Sequence, residues 1–383
     1  MKSWCLIAVV VLALAGCSVY SETTSELEDG DKHEYGPVPN AMIDATMVVF
    51  HGEDHGTLGG ANAIVGDIDG DGVDDFVLLD GGGSATNSPG FEDVRGAVYV
   101  FYGRTSYKKE MSVLEADAIL RGASNFVAGV GDVDGDGLDD FAFIGEHLVD
   151  HIDPGYPYTP GAHLVYGSSE RLSGQHLASD VGVHITSGFP GSLYPELFSV
   201  HGAGDVNGDG IEDLLVEMRT EGHLADQNVY AYLVLGGRDR LPSSYSLADA
   251  HAVFEGAQGD YFVYHGSAPA GDINGDGYSD VLISTRDMEW DWRVNLHYGG
   301  ENAFSGSISP GAADAVFAME SLWTTVGRLG DLDGDGLDDF TVARDWAVPV
   351  FYGRDQKLSG TLAESDFEFI IKPEGAPSYM AGL

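Results

Sequence analysis

Asp67-Ile68-Asp69-Gly70-Asp71-Gly72-Val73-Asp74-Asp75 is the stretch on which the reading of this chain turns, because it recurs. Five copies are present: DIDGDGVDD from Asp67, DVDGDGLDD from Asp132, DVNGDGIED from Asp205, DINGDGYSD from Asp272 and DLDGDGLDD from Asp331. Successive starts lie about 60 to 70 residues apart, a period that marks repeated supersecondary units stacked into a propeller or solenoid.

Counting the first Asp as position one, every copy has side-chain oxygens at positions one, three, five and nine and glycine at four and six. A hard cation suits that pattern. Calcium takes six to eight oxygen ligands, and alternate residues of a tight glycine-bearing loop can turn several carboxylates toward one centre. The expected first site is Asp67, Asp69, Asp71 and Asp75 with the carbonyl of Val73. The second is Asp132, Asp134, Asp136, Asp140 and the Leu138 carbonyl; the third is Asp205, Asn207, Asp209, Asp213 and the Ile211 carbonyl. The fourth is Asp272, Asn274, Asp276, Asp280 and the Tyr278 carbonyl, and the fifth Asp331, Asp333, Asp335, Asp339 and the Leu337 carbonyl. About five Ca²⁺ ions are therefore expected.

An EF-hand loop begins the same way but ends on a bidentate Glu at position twelve and runs into a helix. Here position twelve is Leu78, Phe143, Val216, Ile283 or Val342, each inside a short apolar run of strand length. The loops are thus flanked by strands. Without a metal, three or four carboxylates in one loop would repel one another. With about 1 mM calcium and a dissociation constant near 0.1 mM, each site would add about 1.4 kcal/mol of stability.

The second repeat reads as four strands: AILRG (118–122), FVAGVG (126–131), then after the loop FAFIG (141–145) and GAHLVYG (161–167). A strand ending on an aromatic or aliphatic residue plus glycine recurs in phase, at Tyr102-Gly103, Tyr166-Gly167, Leu235-Gly236, Tyr298-Gly299 and Tyr352-Gly353. Four short strands per unit, with no amphipathic helical period, predict an all-β propeller of four-stranded blades. Five loops imply five blades. A sixth stays open, because the C-terminal segment 367–383, with Glu364–Asp366 before it, resembles the opening of another repeat. That segment is expected to close the ring against the first blade; a truncated gene is the alternative.

The D-x-[DN]-G-D-G-x-x-D loop and segments such as Gly96-Ala97-Val98-Tyr99-Val100-Phe101-Tyr102-Gly103 resemble the FG-GAP repeats of integrin alpha-chain propellers and their bacterial VCBS-type relatives. The resemblance covers residues 42–366 and implies a calcium-binding β-propeller employed in adhesion or ligand recognition. After the second strand, where the family often shows Gly-Ala-Pro, this chain has Leu79-Asp80-Gly81, Gly145-Glu146-His147 or Ala343-Arg344-Asp345, which favours the bacterial branch over the integrins. No Arg-Gly-Asp triplet occurs, nor the Asp-x-Ser-x-Ser of an inserted adhesion domain.

The 383 residues carry 62 acidic against 18 basic side chains, a formal net charge of −44. Such a surface repels nucleic acid and anionic lipid and favours cations and basic partners. At 43% hydrophobic and 10% aromatic residues, the chain has the means to build a core. Residues 1–16 read as a secretory signal, with Lys2 before an apolar run too short to span a bilayer. Leu14-Ala15-Gly16-Cys17 resembles a lipoprotein lipobox, which implies cleavage before Cys17 and its acylation. Residues 17–41 would then be the lipidated cysteine and a polar tether, the lipid anchor would be the sole membrane contact, and no disulfide could form. A monomeric lipoprotein of the bacterial outer membrane or cell surface is expected.

Between second and third strands lie long connections rich in aromatics, among them Tyr156, Tyr158, Trp290, Trp292 and Trp346. In an antiparallel meander they fall on the face opposite the metal loops. Loops on a rigid scaffold carry recognition, so these five residues are the candidates for contacting a protein or glycan ligand. A hydrolase or lyase acting on polysaccharide or lipid is the competing class, but neither G-x-S-x-G nor H-E-x-x-H occurs. The expectation is a binding module with no catalytic residues.

Overall fold

The structure is a computed structural model, and it describes residues 7–10, 48–52, 58–84, 95–148, 158–187, 196–219, 229–255, 266–286, 292–319, 324–344, 348–363, 366–367 and 369–371. It is all-β, built from β-propeller blade sheets; the helices among the described residues are short 3₁₀ turns. The chain divides into two compact units, Met1–Gly129 with Leu138–Thr159 and His163–Gly182, and Val130–Gly137 with Pro160–Ala162 and Val183–Leu383.

In the first unit, Leu58–Gly66, Asp75–Ser84, Arg95–Phe101 and Ala118–Arg121 pair antiparallel in chain order, and loop 1 joins the first two strands. The run Phe76-Val77-Leu78-Leu79 is buried throughout because both faces of its strand are covered. Alternation still sorts it: Val77 and Leu79 join a cluster with Val98, Val100 and Phe141. Phe76 and Leu78 join another with Phe50, Tyr99 and Phe101. Two-sided burial is what an inner strand needs, and it explains a continuous apolar run in place of alternation. A second sheet pairs Ile7–Val10 antiparallel with Val48–His51, which Glu110–Ser112 joins in parallel.

The second unit repeats the plan. One sheet runs Glu196–Gly204, Asp213–Arg219, Val229–Val234, Ala252–Glu255. The next runs Ser267–Gly271, Asp280–Arg286, Trp292–His297, Ala315–Met319. The last runs Thr324–Gly330, Asp339–Arg344, Val348–Phe351, Phe369–Ile371. In all three the metal-type loop connects the first strand to the second, and a register shift falls on the residues just before it. Such a bulge re-aims the chain into the tight turn.

Two features depart from the sequence reading. The strand AILR was expected to open the second repeat, but Ala118–Arg121 is the fourth strand of the sheet that carries loop 1. Each repeat as read therefore begins one strand early. Four-stranded blades were expected too, yet a short parallel strand lies on the fourth: Gly174–Leu177 on Ala118–Arg121, Gly306–Ile308 on Ala252–Glu255 and Gly360–Leu362 on Ala315–Met319. These three- and four-residue segments are too short for a hydrophobic period to show them. The short strand Glu110–Ser112 runs directly into a 3₁₀ turn whose start is a capping box, Ser112 taking the Leu114 N–H while Glu115 takes the Ser112 N–H.

Candidate metal centres

Glycines at positions four and six make the loop possible. All ten adopt positive φ, from 68° at Gly135 to 93° at Gly336, a region that side-chain-bearing residues rarely enter. The curled backbone this creates points N–H groups inward, and position one collects them. Asp67 accepts from Gly70 N at 2.8 Å, Asp71 N at 3.0 Å and Gly72 N at 2.8 Å. Asp205, Asp272 and Asp331 accept from the three corresponding N–H groups. Asp132 takes two of them, from Asp136 and Gly137. Position five ties down position seven: Val73, Ile211, Tyr278 and Leu337 each donate N–H to the carboxylate two residues back at 2.9 to 3.2 Å.

Position nine does a job that spacing alone does not show. Asp75, Asp140, Asp213, Asp280 and Asp339 are all fully buried. Asp213 accepts Val206 N–H on one oxygen, 3.0 Å, and Gly236 N–H on the other, 2.8 Å. Asp280 holds Ile273 and Gly299 in the same way, and Asp339 holds Leu332 and Gly353. Asp75 holds Ile68 and Gly103. This carboxylate therefore clamps position two of the loop to the glycine that ends the third strand. The aromatic-plus-glycine signal read from sequence is the far jaw of that clamp. Burial drives the Asp75 carboxyl up to about 6 and those of Asp213 and Asp280 to about 7, against the pull of the two N–H donors.

In loops 2 to 5, position eight hooks the loop to the one before it. Asp139 takes the Asp67 N–H at 2.9 Å while giving its own N–H to the Asp67 carbonyl at 3.2 Å. Asp338 does the same to Asp272, and Glu212 and Ser279 give N–H to the carbonyls of Asp132 and Asp205.

Carboxylate oxygens from Asp67, Asp69 and Asp71 lie within 4.8 Å of one another, as do those of Asp132, Asp134 and Asp136, and those of Asp331, Asp333 and Asp339. Calcium–oxygen distances of about 2.3–2.6 Å put two ligands of one ion at most about 5 Å apart, so each of these three triads could hold a metal ion of that size. Loops 3 and 4 carry Asn207 and Asn274 at position three, which leaves them one carboxylate short at the positions the triads use.

Basic side chains were not among the expected site residues, yet among the described residues three loops have one bonded to the carboxylates at positions three or five. Arg171 bonds Asp69 through Nε and Asp71 Oδ2 through Nη2 at 2.7 Å, with its guanidinium carbon 4.9 Å from the centre of the Tyr102 ring. Arg240 bonds Asp134 and Asp136 with the same two nitrogens. Lys357 bonds Asp276 Oδ2 at 2.9 Å and sits 4.6 Å from the Tyr298 ring centre. Each cation lies four residues after the glycine that ends a third strand. The in-phase pairs Arg171-Leu172, Arg240-Leu241 and Lys357-Leu358 were a visible signal for them.

Tyr158 and Trp292 are the first residues of the strands Tyr158–Val165 and Trp292–His297, while Tyr156, Trp290, Trp346 and Cys17 lie outside the described residues.

No known protein-family model matches the chain. A stretch of 146 residues, 37% of the chain, is 26% identical to integrin alpha-4 of Xenopus laevis and spans 13% of that protein's length. A solved structure of BBS1N in complex with ARL6DN, soaked with lead, aligns over 80% of each chain with 8% identity and a TM-score of 0.33. The chain is thus an all-β protein of propeller blades, and its sequence similarity is to an integrin alpha chain. No described helix is long and apolar enough to cross a membrane.

Proposed function

We propose that this chain is a calcium-binding recognition or adhesion module, a bacterial FG-GAP/VCBS-type lipoprotein held at the cell surface by Cys17. The observation that carries the reading is the loop itself. A single nine-residue design recurs with its glycines, its inward N–H groups and its buried clamp, and three copies gather carboxylates at calcium-ligand spacing. The similarity to integrin alpha-4 supports a recognition role, and the Leu14-Ala15-Gly16-Cys17 sequence supports export and lipidation. The ligand is a protein or glycan met by the aromatic residues Tyr156, Tyr158, Trp290, Trp292 and Trp346, and the module performs no reaction of its own.

In this reading the ions are structural. Five sites at about 1.4 kcal/mol each would give several kcal/mol, comparable with the ~5–15 kcal/mol stability of a domain. Native mass measurement should find about five Ca²⁺ per chain at millimolar calcium, and chelation should lower the melting temperature by ten degrees or more. An unchanged mass and an EDTA-indifferent melting curve would sink the metal reading. A glycan and protein array probed with wild type and with Trp290→Ala/Trp292→Ala tests the ligand face separately, and equal binding by both would remove it.

A further inference from the structure

Loop 3 lacks what closes its neighbours. The residue four places after the strand-ending glycine, Arg171, Arg240 or Lys357 elsewhere, is Ala303 here, and the tyrosine before that glycine's counterpart is replaced by Leu235. Two large side chains are therefore missing at one spot. A cavity of about 350 Å³ occupies it, lined by Leu235 and Ala303 and also by Asn207, Asp209, His251 and Glu301.

The atom each cation meets is the same. Asp71 Oδ2, Asp136 Oδ2 and Asp276 Oδ2 are the position-five oxygens bonded by Arg171, Arg240 and Lys357. Among the described residues, the equivalent Asp209 Oδ2 at loop 3 takes only the side-chain amide of Asn207, at 3.2 Å. No Lys or Arg among the described residues forms an ion pair with Asp209, and Glu301 adds a second carboxylate to the rim. The floor is apolar, from Leu235 and Phe304, which suits the methylene stem of a long basic side chain.

We propose that this cavity is a docking site for an arginine or lysine side chain presented by a partner protein, which completes loop 3 as Arg171 completes loop 1 from within the chain. The strongly acidic chain would draw such a partner in. The inference goes beyond the calcium reading, since the bond to Asp209 requires no metal.

The test titrates N-acetyl-arginine amide, N-acetyl-citrulline amide and agmatine into the full chain in EDTA, followed by NMR. The arginine amide should bind at millimolar affinity and the uncharged citrulline analogue at least tenfold more weakly. Ala303→Arg, which fills the cavity with the chain's own guanidinium, and Asp209→Asn should each weaken arginine-amide binding at least tenfold. Agmatine binding more than tenfold tighter than the arginine amide would overturn the protein-borne source in favour of a free amine. No binding to wild type, or binding untouched by both substitutions, overturns the site. Because chelator is present throughout, failure here leaves the calcium uptake experiment standing, and the reverse.

Discussion

At loop 1 the guanidinium of Arg171 lies over Tyr102 and reaches Asp69 and Asp71; at loop 3 those two positions are Ala303 and Leu235, and Asp209 turns to Asn207. The backbones nonetheless agree. Asp67 and Asp205 accept the same three N–H groups, and Asp75 and Asp213 clamp the same two positions. A loop without a cation is built like a loop with one. The glycines and the carboxylates at positions one and nine therefore shape the loop, while the basic residue serves only the charge that is left over at positions three and five.

The largest effect follows from what the two loops share. Asp75→Ala and Asp213→Ala each leave two backbone donors inside the protein without an acceptor, which should cost about 2–4 kcal/mol. Urea unfolding in chelator should give nearly equal losses for the two variants. A loss at Asp75 smaller by several-fold would mean that Arg171 holds loop 1 in place of the clamp, and the comparison would break.

The second contrast lies four residues beyond the clamp, where loop 1 has Leu79 and loop 3 has Glu217. Both are buried, and Glu217 bonds the Ser199 hydroxyl. Burial raises its carboxyl to about 7. Its folded value exceeds the unfolded one, so its contribution is fully present below about pH 4.5 and is lost as pH rises through about 7. His297 runs the other way: burial lowers its imidazole to about 4, so its contribution is present above the usual histidine value and lost as pH falls toward 4. The two slopes oppose each other across pH 5–6.5. Glu217→Gln should remove one of them, and its stability relative to wild type should climb by up to about 1.4 kcal/mol per pH unit between pH 5 and 7. A pH-independent difference would show that Glu217 does not take up its proton on folding.

Legibility in the sequence divides along the same line. The loop residues, the strands beside them and the strand-ending glycines were readable because each is set by local backbone need: positive φ at Gly70 and Gly72, apolar burial at Phe76–Leu79. Which sheet Ala118–Arg121 joins was not readable, because a strand does not encode its partner when both faces are buried. The double role of Asp75, Asp213 and their equivalents was hidden for a similar reason, since the N–H of Gly103 or Gly236 comes from a strand more than twenty residues away. Arg171 is further still, 100 residues from Asp71, and only the stacking of repeats brings them together.

The smallest effect concerns that cation. Arg171 is about half exposed, so its bond to the part-exposed Asp71 is screened by water and salt and worth about 0.2–1 kcal/mol, whereas its pairing with the buried Asp69 is screened less. Arg171→Ala should therefore cost about 1–2 kcal/mol in chelator at low salt, and somewhat less at 1 M salt, where only the Asp71 part is screened away. Lys357→Ala should cost less again, because an ammonium cannot make the two-pronged contact that Arg171 makes. With calcium the sign reverses: Arg171 competes for the oxygens a metal would use, so its removal should tighten calcium binding at loop 1 by a few-fold while loop 3, which has no such competitor, stays as it was. Site-resolved calcium titration by NMR of the loop glycines would read both at once. Looser binding at loop 1 after Arg171→Ala would mean that the guanidinium orients the carboxylates for the ion instead of contesting them, and loop 3 would then be the weaker metal site of the pair.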